Sequence, residues 1–295
     1  MKFSELIDLY KKTNQKFDDV ILISQMLEDG SDPLQTRKNV ERLLKTMLEI
    51  CEKGYGNSYE TLTHLCGNNG FLFARHEAQF MGEFNYVATV TALCLAESNA
   101  SMGRIVACPT AGSCGVVPAI VYALRKVKKI EEPVLIDSLI VAGAVGSSVA
   151  STVSISGAVA GCQAEIGTAT AMASSLAVYS LSQDPEKVSH AAALSLKSLM
   201  GLVCDPVGGF VEVPCVKRNA TAVNVAICTA EMALAGIKSV IPFDEVVEAM
   251  AKVGRSMPEE LRETGLGGVA STKMAQFLVK EIRGEGLEST ECRDN

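Results

Sequence analysis

Tryptophan is absent from this chain, and phenylalanine with tyrosine brings the aromatic share to only 5%. A base-stacking nucleic-acid face draws on aromatic side chains interleaved with Lys and Arg, and no such cluster occurs. Positive charge is also short: 27 Lys and Arg stand against 34 Asp and Glu, a net charge of −7. An extended nucleic-acid surface is therefore not expected. The opening residues Met1-Lys2-Phe3-Ser4-Glu5 lack the continuous apolar stretch of a secretory signal. With ten cysteines and no such signal, the expectation is a cytoplasmic protein whose thiols are free or bind metal. Internal repeats, heptad runs and regularly alternating strands are missing as well.

What the chain has is alanine, glycine and serine in quantity, the profile of closely packed helices. Its 295 residues can bury a substantial core, as one large or two modest domains. Two long stretches carry no charge, Ser138–Ala164 (27 residues) and Ile166–Gln183 (18 residues). Length alone would admit a membrane span. Ser147-Ser148 and Ser151-Thr152 interrupt the first stretch and no basic flank adjoins it, so the pattern fits a buried helix leading into a loop. No membrane is expected as a partner.

Helical spacing is plain at Phe3, Leu6, Ile7 and Tyr10, and again at Val40, Leu43, Leu44 and Met47. Asp32-Pro33 reads as an N-cap with a first-turn proline, and Asp184-Pro185 opens another helix. The first 53 residues read as a solvated helical hairpin. Further helices are expected over Phe84–Ser98, Val116–Val127, Asn219–Gly236, Asp244–Arg255 and Ser271–Ile282. His190 lies among alanines and reads as a packed histidine. The fold expected is all-α: an N-terminal helical segment (1–80), a compact catalytic helical domain (81–284) whose Gly-rich loops converge on one site, and a disordered tail (285–295).

Three irregular patches interrupt the helices. Gly201–Asn219, GLVCDPVGGFVEVPCVKRN, holds Cys204 and Cys215 eleven positions apart, with Pro206, Gly208 and Gly209 resisting regular structure. Lys217, Arg218 and Asn219 follow, two cations and an amide in series; a surface basic pair starting a helix reads equally well. Ile155–Glu165 holds Cys162 among glycines and alanines. Three thiolates on irregular backbone suit iron–sulfur or zinc. The spacing is no C-x-x-C pair, though, and buried cysteines commonly serve as small hydrophobes. The third patch, Asn99–Ala119, contains Pro109-Thr110-Ala111-Gly112-Ser113, where backbone N–H groups can meet an anion or the hydroxyls can cap the next helix.

Taken together and in this order, NASMGRIVACPTAGSCGVVPA (Asn99–Ala119), GCQAEIG (Gly161–Gly167), GLVCDPVGGFVEVPCVKRN, ALAGIKSVIPFDEV (Ala233–Val246) and MPEELRETGLGG (Met257–Gly268) resemble the alpha chain of the iron–sulfur-dependent L-serine dehydratases. The likeness runs from about Tyr86 to Arg283. It departs at Cys66–Arg75, where the family's Gly-Gly-Asp-Ala-x-Lys-type segment is not found. The resemblance implies L-serine as substrate and a [4Fe–4S] cluster held by Cys162, Cys204 and Cys215. It also implies carboxylate contacts from Thr110 and Ser113, charge near the cluster from Lys217 and Arg218, and a separate beta subunit carrying a regulatory domain. The general base stays open among Ser156, Lys273, His64 or a residue of another chain. Cys292, on the tail, is a thiol that could cover an open iron. The same cluster chemistry on L-cysteine is the near alternative. A pyridoxal-phosphate enzyme, with Gly265–Gly268 as its phosphate loop, and a membrane-embedded scaffold are the distant ones.

Overall fold

A computed structural model describes residues 1–284; Cys292 lies outside the described residues. Thirteen α-helices occur among them: α1 Phe3–Lys11, α2 Phe17–Asp29, α3 Pro33–Gly54, α4 Asn69–Phe73, α5 Glu83–Ala100, α6 Val116–Lys126, α7 Glu132–Ala150, α8 Gly157–Ala160, α9 Cys162–Ser182, α10 Pro185–Leu199, α11 Cys215–Leu234, α12 Phe243–Ser256 and α13 Lys273–Ile282. Short 3₁₀ turns fill Val207–Gly209, Glu259–Leu261 and Gly268–Ser271. No strand forms among the described residues, where isolated bridges join Glu60 to Gly67 and Cys204 to Arg262. The fold is all-α, as its composition suggested.

Helix α9 is the axis of the molecule. Its neighbours are α6, α7, α10 and α11, and nearly every residue from Cys162 to Ser180 is buried. Small side chains permit that crowding: a Cβ added to Gly146 of α7 would stand 2.8 Å from the Met172 sulfur of α9. Buried hydroxyls need acceptors. Thr170 donates to the Ile166 carbonyl (2.6 Å), Ser174 donates to the Ala171 carbonyl (3.0 Å), and Ser195 of α10 donates to Ser174 Oγ (2.9 Å).

The N-terminal residues do not form a solvated hairpin. They make three helices whose apolar faces join the main core through Phe3, Phe17, Leu44 and Met47. Phe3 meets Phe17 and Phe243 edge-on at 5.7 and 5.8 Å. Asp244, at the start of α12, accepts the N–H groups of Phe3 and Ser4 at 3.1 Å each, satisfying orphan donors at the start of α1. Local patterning alone cannot reveal such a contact across 240 residues. The local caps are as expected: Asp32 accepts from Leu34 N–H (3.1 Å) and Asp184 from Glu186 N–H (2.9 Å).

The long uncharged run is broken rather than continuous. Helix α7 ends at Ala150, and Ser151 and Thr152 both turn their hydroxyls back onto the Ser148 carbonyl. By length and composition α7 is the one helix among the described residues able to cross a membrane; 61% of its most apolar window is buried inside the protein. Helix α11 begins at Cys215 itself, four residues earlier than its apolar pattern, with Pro214 at its N-cap.

Candidate metal centre

Cys162 and Cys215 are the first residues of α9 and α11. A thiol at that place feels the positive end of the helix dipole, which favours thiolate. Gly161 makes the first of these starts possible, with φ at +76° and the Met257 side chain so close that a Cβ would lie 2.7 Å from its sulfur. Cys204 comes from the irregular loop between α10 and α11. Its backbone is fastened to the segment after α12, donating to the Leu261 carbonyl (2.9 Å) and accepting from Glu263 N–H (2.7 Å).

The ligand atoms of Cys162, Glu165 and Cys204 lie within 4.8 Å of one another. Residues 42 apart in sequence thus meet, and a carboxylate joins them. Glu165 follows Cys162 by three positions, so both occupy one face of α9. Within GCQAEIG the sequence alone assigns Glu165 no role; its i+3 relation to a candidate ligand is the one signal that points to it. Two glycines form walls around these groups. A Cβ on Gly157 would stand 2.7 Å from Cys204 Sγ, and one on Gly112 would stand 2.6 Å from Glu165 Oε1.

The Cys204 thiol donates to Cys162, which pulls Cys162 below the ordinary cysteine value against its burial, and Arg218 helps. Cys204 is correspondingly pushed up, by Cys162 first and then by burial. Cys215, outside the 4.8 Å group but electrostatically joined to Cys162 and Glu165, is pushed up to about 12, mainly by burial. Burial also raises the Glu165 carboxyl; Glu263 adds to this, while the Thr110 hydroxyl and Gly112 N–H oppose it.

The two cations part company. Cys215, Arg218 and Asn219 fall on one face of α11, whereas Lys217 is two residues from Cys215 and points elsewhere. Arg218 donates to the Val203 carbonyl and pairs with the buried Asp205 carboxylate, both at 2.9 Å. Lys217 reaches Cys66 Sγ at 3.9 Å and borders an apolar groove with Leu72, Phe73 and Val225. It does not join the thiols.

The Pro109–Gly115 loop faces the centre through one side chain. Thr110 donates its hydroxyl to Glu165, and Ser113, fully buried, stands behind it with the two hydroxyl oxygens 2.9 Å apart. The N–H groups of Cys114, Gly115 and Val116 are committed to Ala111 O, Asn219 Oδ1 and Ser113 O. These three serve the entry into α6, while Gly112 N–H, earlier in the loop, faces the Glu165 carboxylate. Among the open base residues, Ser156 adjoins Gly157 at the N-cap of α8. His64 is exposed beside Glu60 and Lys273 starts α13 at the surface. The Gly265–Gly268 turn already meets an anion, for Val269 N–H donates to Asp205 Oδ2 at 2.7 Å.

Two thiols and a carboxylate between glycine walls make a group that could hold a metal, and soft thiolates favour a soft one. The family described as serine dehydratase alpha chain matches residues 8–270. The probable L-serine dehydratase alpha chain of Bacillus subtilis (strain 168) is 41% identical over 293 residues, covering 97% of this chain and 96% of that one. The L-serine dehydratase alpha chain of Peptoniphilus asaccharolyticus is 35% identical over 285 residues, covering 96% and 98%. L-serine dehydratase 1 of Escherichia coli (strain K12) is 40% identical over 181 residues, covering 61% of this chain but 40% of that longer protein. With the family model matched over most of the chain and two alpha chains matched over nearly their whole length, the chain belongs to the serine dehydratase alpha chain family.

Proposed function

We propose that the chain deaminates L-serine to pyruvate and ammonia by β-elimination of water, at a [4Fe–4S] cluster held by Cys162, Cys204 and Cys215. The observation that carries this reading is the meeting of Cys162, Cys204 and Glu165 within 4.8 Å, in a chain whose relatives are named L-serine dehydratases. The three thiolates would hold such a cluster, which when bound would supply a Lewis acid for the poor hydroxide leaving group.

The chain's own groups supply the remainder. Glu165 is the carboxylate placed to take the proton from the substrate's α-carbon, with the Thr110 hydroxyl and Gly112 N–H fixing its orientation. Arg218, anchored by Asp205, contributes positive charge beside Cys162, where the substrate carboxylate brings negative charge. Ser113 buttresses Thr110 from behind. Elimination yields aminoacrylate, which tautomerises and hydrolyses to the products. A separate beta chain completes the enzyme, as the alpha-chain names of the relatives suggest.

Anaerobic purification with its beta chain, followed by iron, acid-labile sulfide and pyruvate assays, tests the reading. About four irons and four sulfides per alpha chain with pyruvate from L-serine are expected of one [4Fe–4S] cluster. Serine turnover by a fully demetallated protein, or a metal site that survives Cys204→Ser, would overturn it.

A further inference from the structure

The side chain of Asn219 is buried and has every polar position engaged. Its Oδ1 accepts from Gly115 N–H at 3.0 Å, and its Nδ2 donates to Gly112 O at 2.8 Å and to Cys215 O at 3.0 Å. Three pieces of backbone are thereby joined by one amide: the turn of α11 that carries Cys215, and both arms of the loop before α6. The glycines it grips are held close by their surroundings. A Cβ on Gly115 would lie 2.6 Å from the Ala92 carbonyl oxygen, and one on Gly112 would lie 2.6 Å from Glu165 Oε1. Gly112 therefore stands between Asn219 on one side and the Glu165 carboxylate on the other.

We propose that Asn219 is a positioning residue, which locks the Pro109–Gly115 loop to the helix of Cys215 so that Thr110 and Gly112 meet Glu165. It touches neither substrate nor metal and acts through the loop. The inference rests on the proposed role of Glu165 as proton acceptor. An amide suits the task because it is the one small side chain offering two donors and an acceptor in a plane. Aspartate keeps the acceptor and sets a carboxylate against two carbonyl oxygens; leucine keeps the branched shape and drops every bond.

The test compares Asn219→Leu, Thr110→Val and the double variant in the complete, metal-loaded enzyme, with kcat expressed per loaded centre. Loss of both hydrogen bonds to the loop places the expected fall in kcat for Asn219→Leu at about 10–100-fold. KM for L-serine should move less than about threefold, since positioning of a proton acceptor acts in the transition state. The double variant should lose less than the product of the two single losses, because both changes act on Glu165. Exchange of the Gly115 amide hydrogen should quicken by at least about tenfold without its acceptor. Multiplicative losses, an unchanged kcat or unchanged Gly115 exchange would each overturn the proposal. Should Asn219→Leu fail to fold, Asn219→Asp, which retains the acceptor for Gly115 N–H, goes through the same kinetic cycle, and multiplicative losses or an unchanged kcat there count against the proposal equally. A wild-type enzyme that forms no pyruvate would sink the proposed function instead, and Gly115 exchange would still decide the clamp.

Discussion

The two ends of helix α9, about 30 Å apart along a 21-residue rod, bury charge in opposite ways. At the C-terminal end Tyr179 donates to Asp18 Oδ1 at 3.1 Å, and Arg37 answers the other Asp18 oxygen as well as Asp19 and Asp137. Both oxygens of the buried Asp18 have partners there. At the N-terminal end Cys162, Cys204 and Glu165 are packed together beside Arg218, which already serves Asp205. One end gives each oxygen of a buried carboxylate its own donor; the other gathers two thiols and a carboxylate beside an arginine already paired elsewhere. A buried carboxylate with both oxygens partnered serves the fold, whereas ligand-type side chains gathered within 4.8 Å are the place for a metal.

That contrast can be broken from either end. The largest effect belongs to the thiols: replacing Cys162, Cys204 or Cys215 with serine should abolish both the metal absorbance and serine turnover. Cys51→Ala and Cys94→Ala, both in buried positions elsewhere, should retain both. Iron analysis and visible spectra decide this, and one ligand variant with intact absorbance would remove that cysteine from the centre. Exposure to air should likewise inactivate the enzyme, with ferrous iron and a reductant restoring part of the rate.

Next comes Glu165→Gln. It retains the shape and should lower kcat by about 10²–10⁴-fold, the span of a lost acid–base group, while metal content is unchanged. A kcat within about twofold of wild type would take the proton acceptor away from Glu165. At the Asp18 end, Arg37→Met should leave kcat and KM alone and destabilise the fold by about 3 kcal/mol, since Asp18 would remain buried without its cation. Arg37 is about one-third exposed, so solvent recovers part of the loss. Denaturant titration reads it, and a kinetic change without a stability change would merge the two ends into one functional unit.

The smallest effect sharpens the division between neighbours on α11. Lys217→Ala should change kcat/KM by less than about twofold, because its ammonium group lies by Cys66, whereas Arg218→Ala should cost at least about tenfold through the loss of a charge-assisted contact. Equal effects from the two would mean that both cations serve the centre.

Much of this is legible without the fold. The caps at Asp32 and Asp184, the all-helical class and the irregular loop of Cys204 follow from local rules of spacing and backbone freedom, whereas Cys162 and Cys215 turn out to open helices. The family resemblance supplies the grouping of Cys162 with Cys204 and Cys215, which no spacing rule offers. Other features are hidden for physical reasons. Glu165 looks like one more polar residue opening a helix. Lys217 and Arg218 look equivalent until the start of α11 at Cys215 sets their faces. The hairpin reading of the first 53 residues fails because the partners of Phe3, Phe243 and Asp244, lie about 240 positions away.

By itself the sequence determined the helices, their stops and the chemical character of the donors, since those depend on a residue and its near neighbours. Which donors meet was decided only by tertiary structure. Cys162 and Cys204 are brought together by the packing of α9 against α10 and α11, and Glu165 gains Thr110 because Asn219 ties the loop before α6 to the turn of Cys215. Such meetings depend on side-chain volumes and crossing helices summed over the whole core, and no local window of the chain contains that sum.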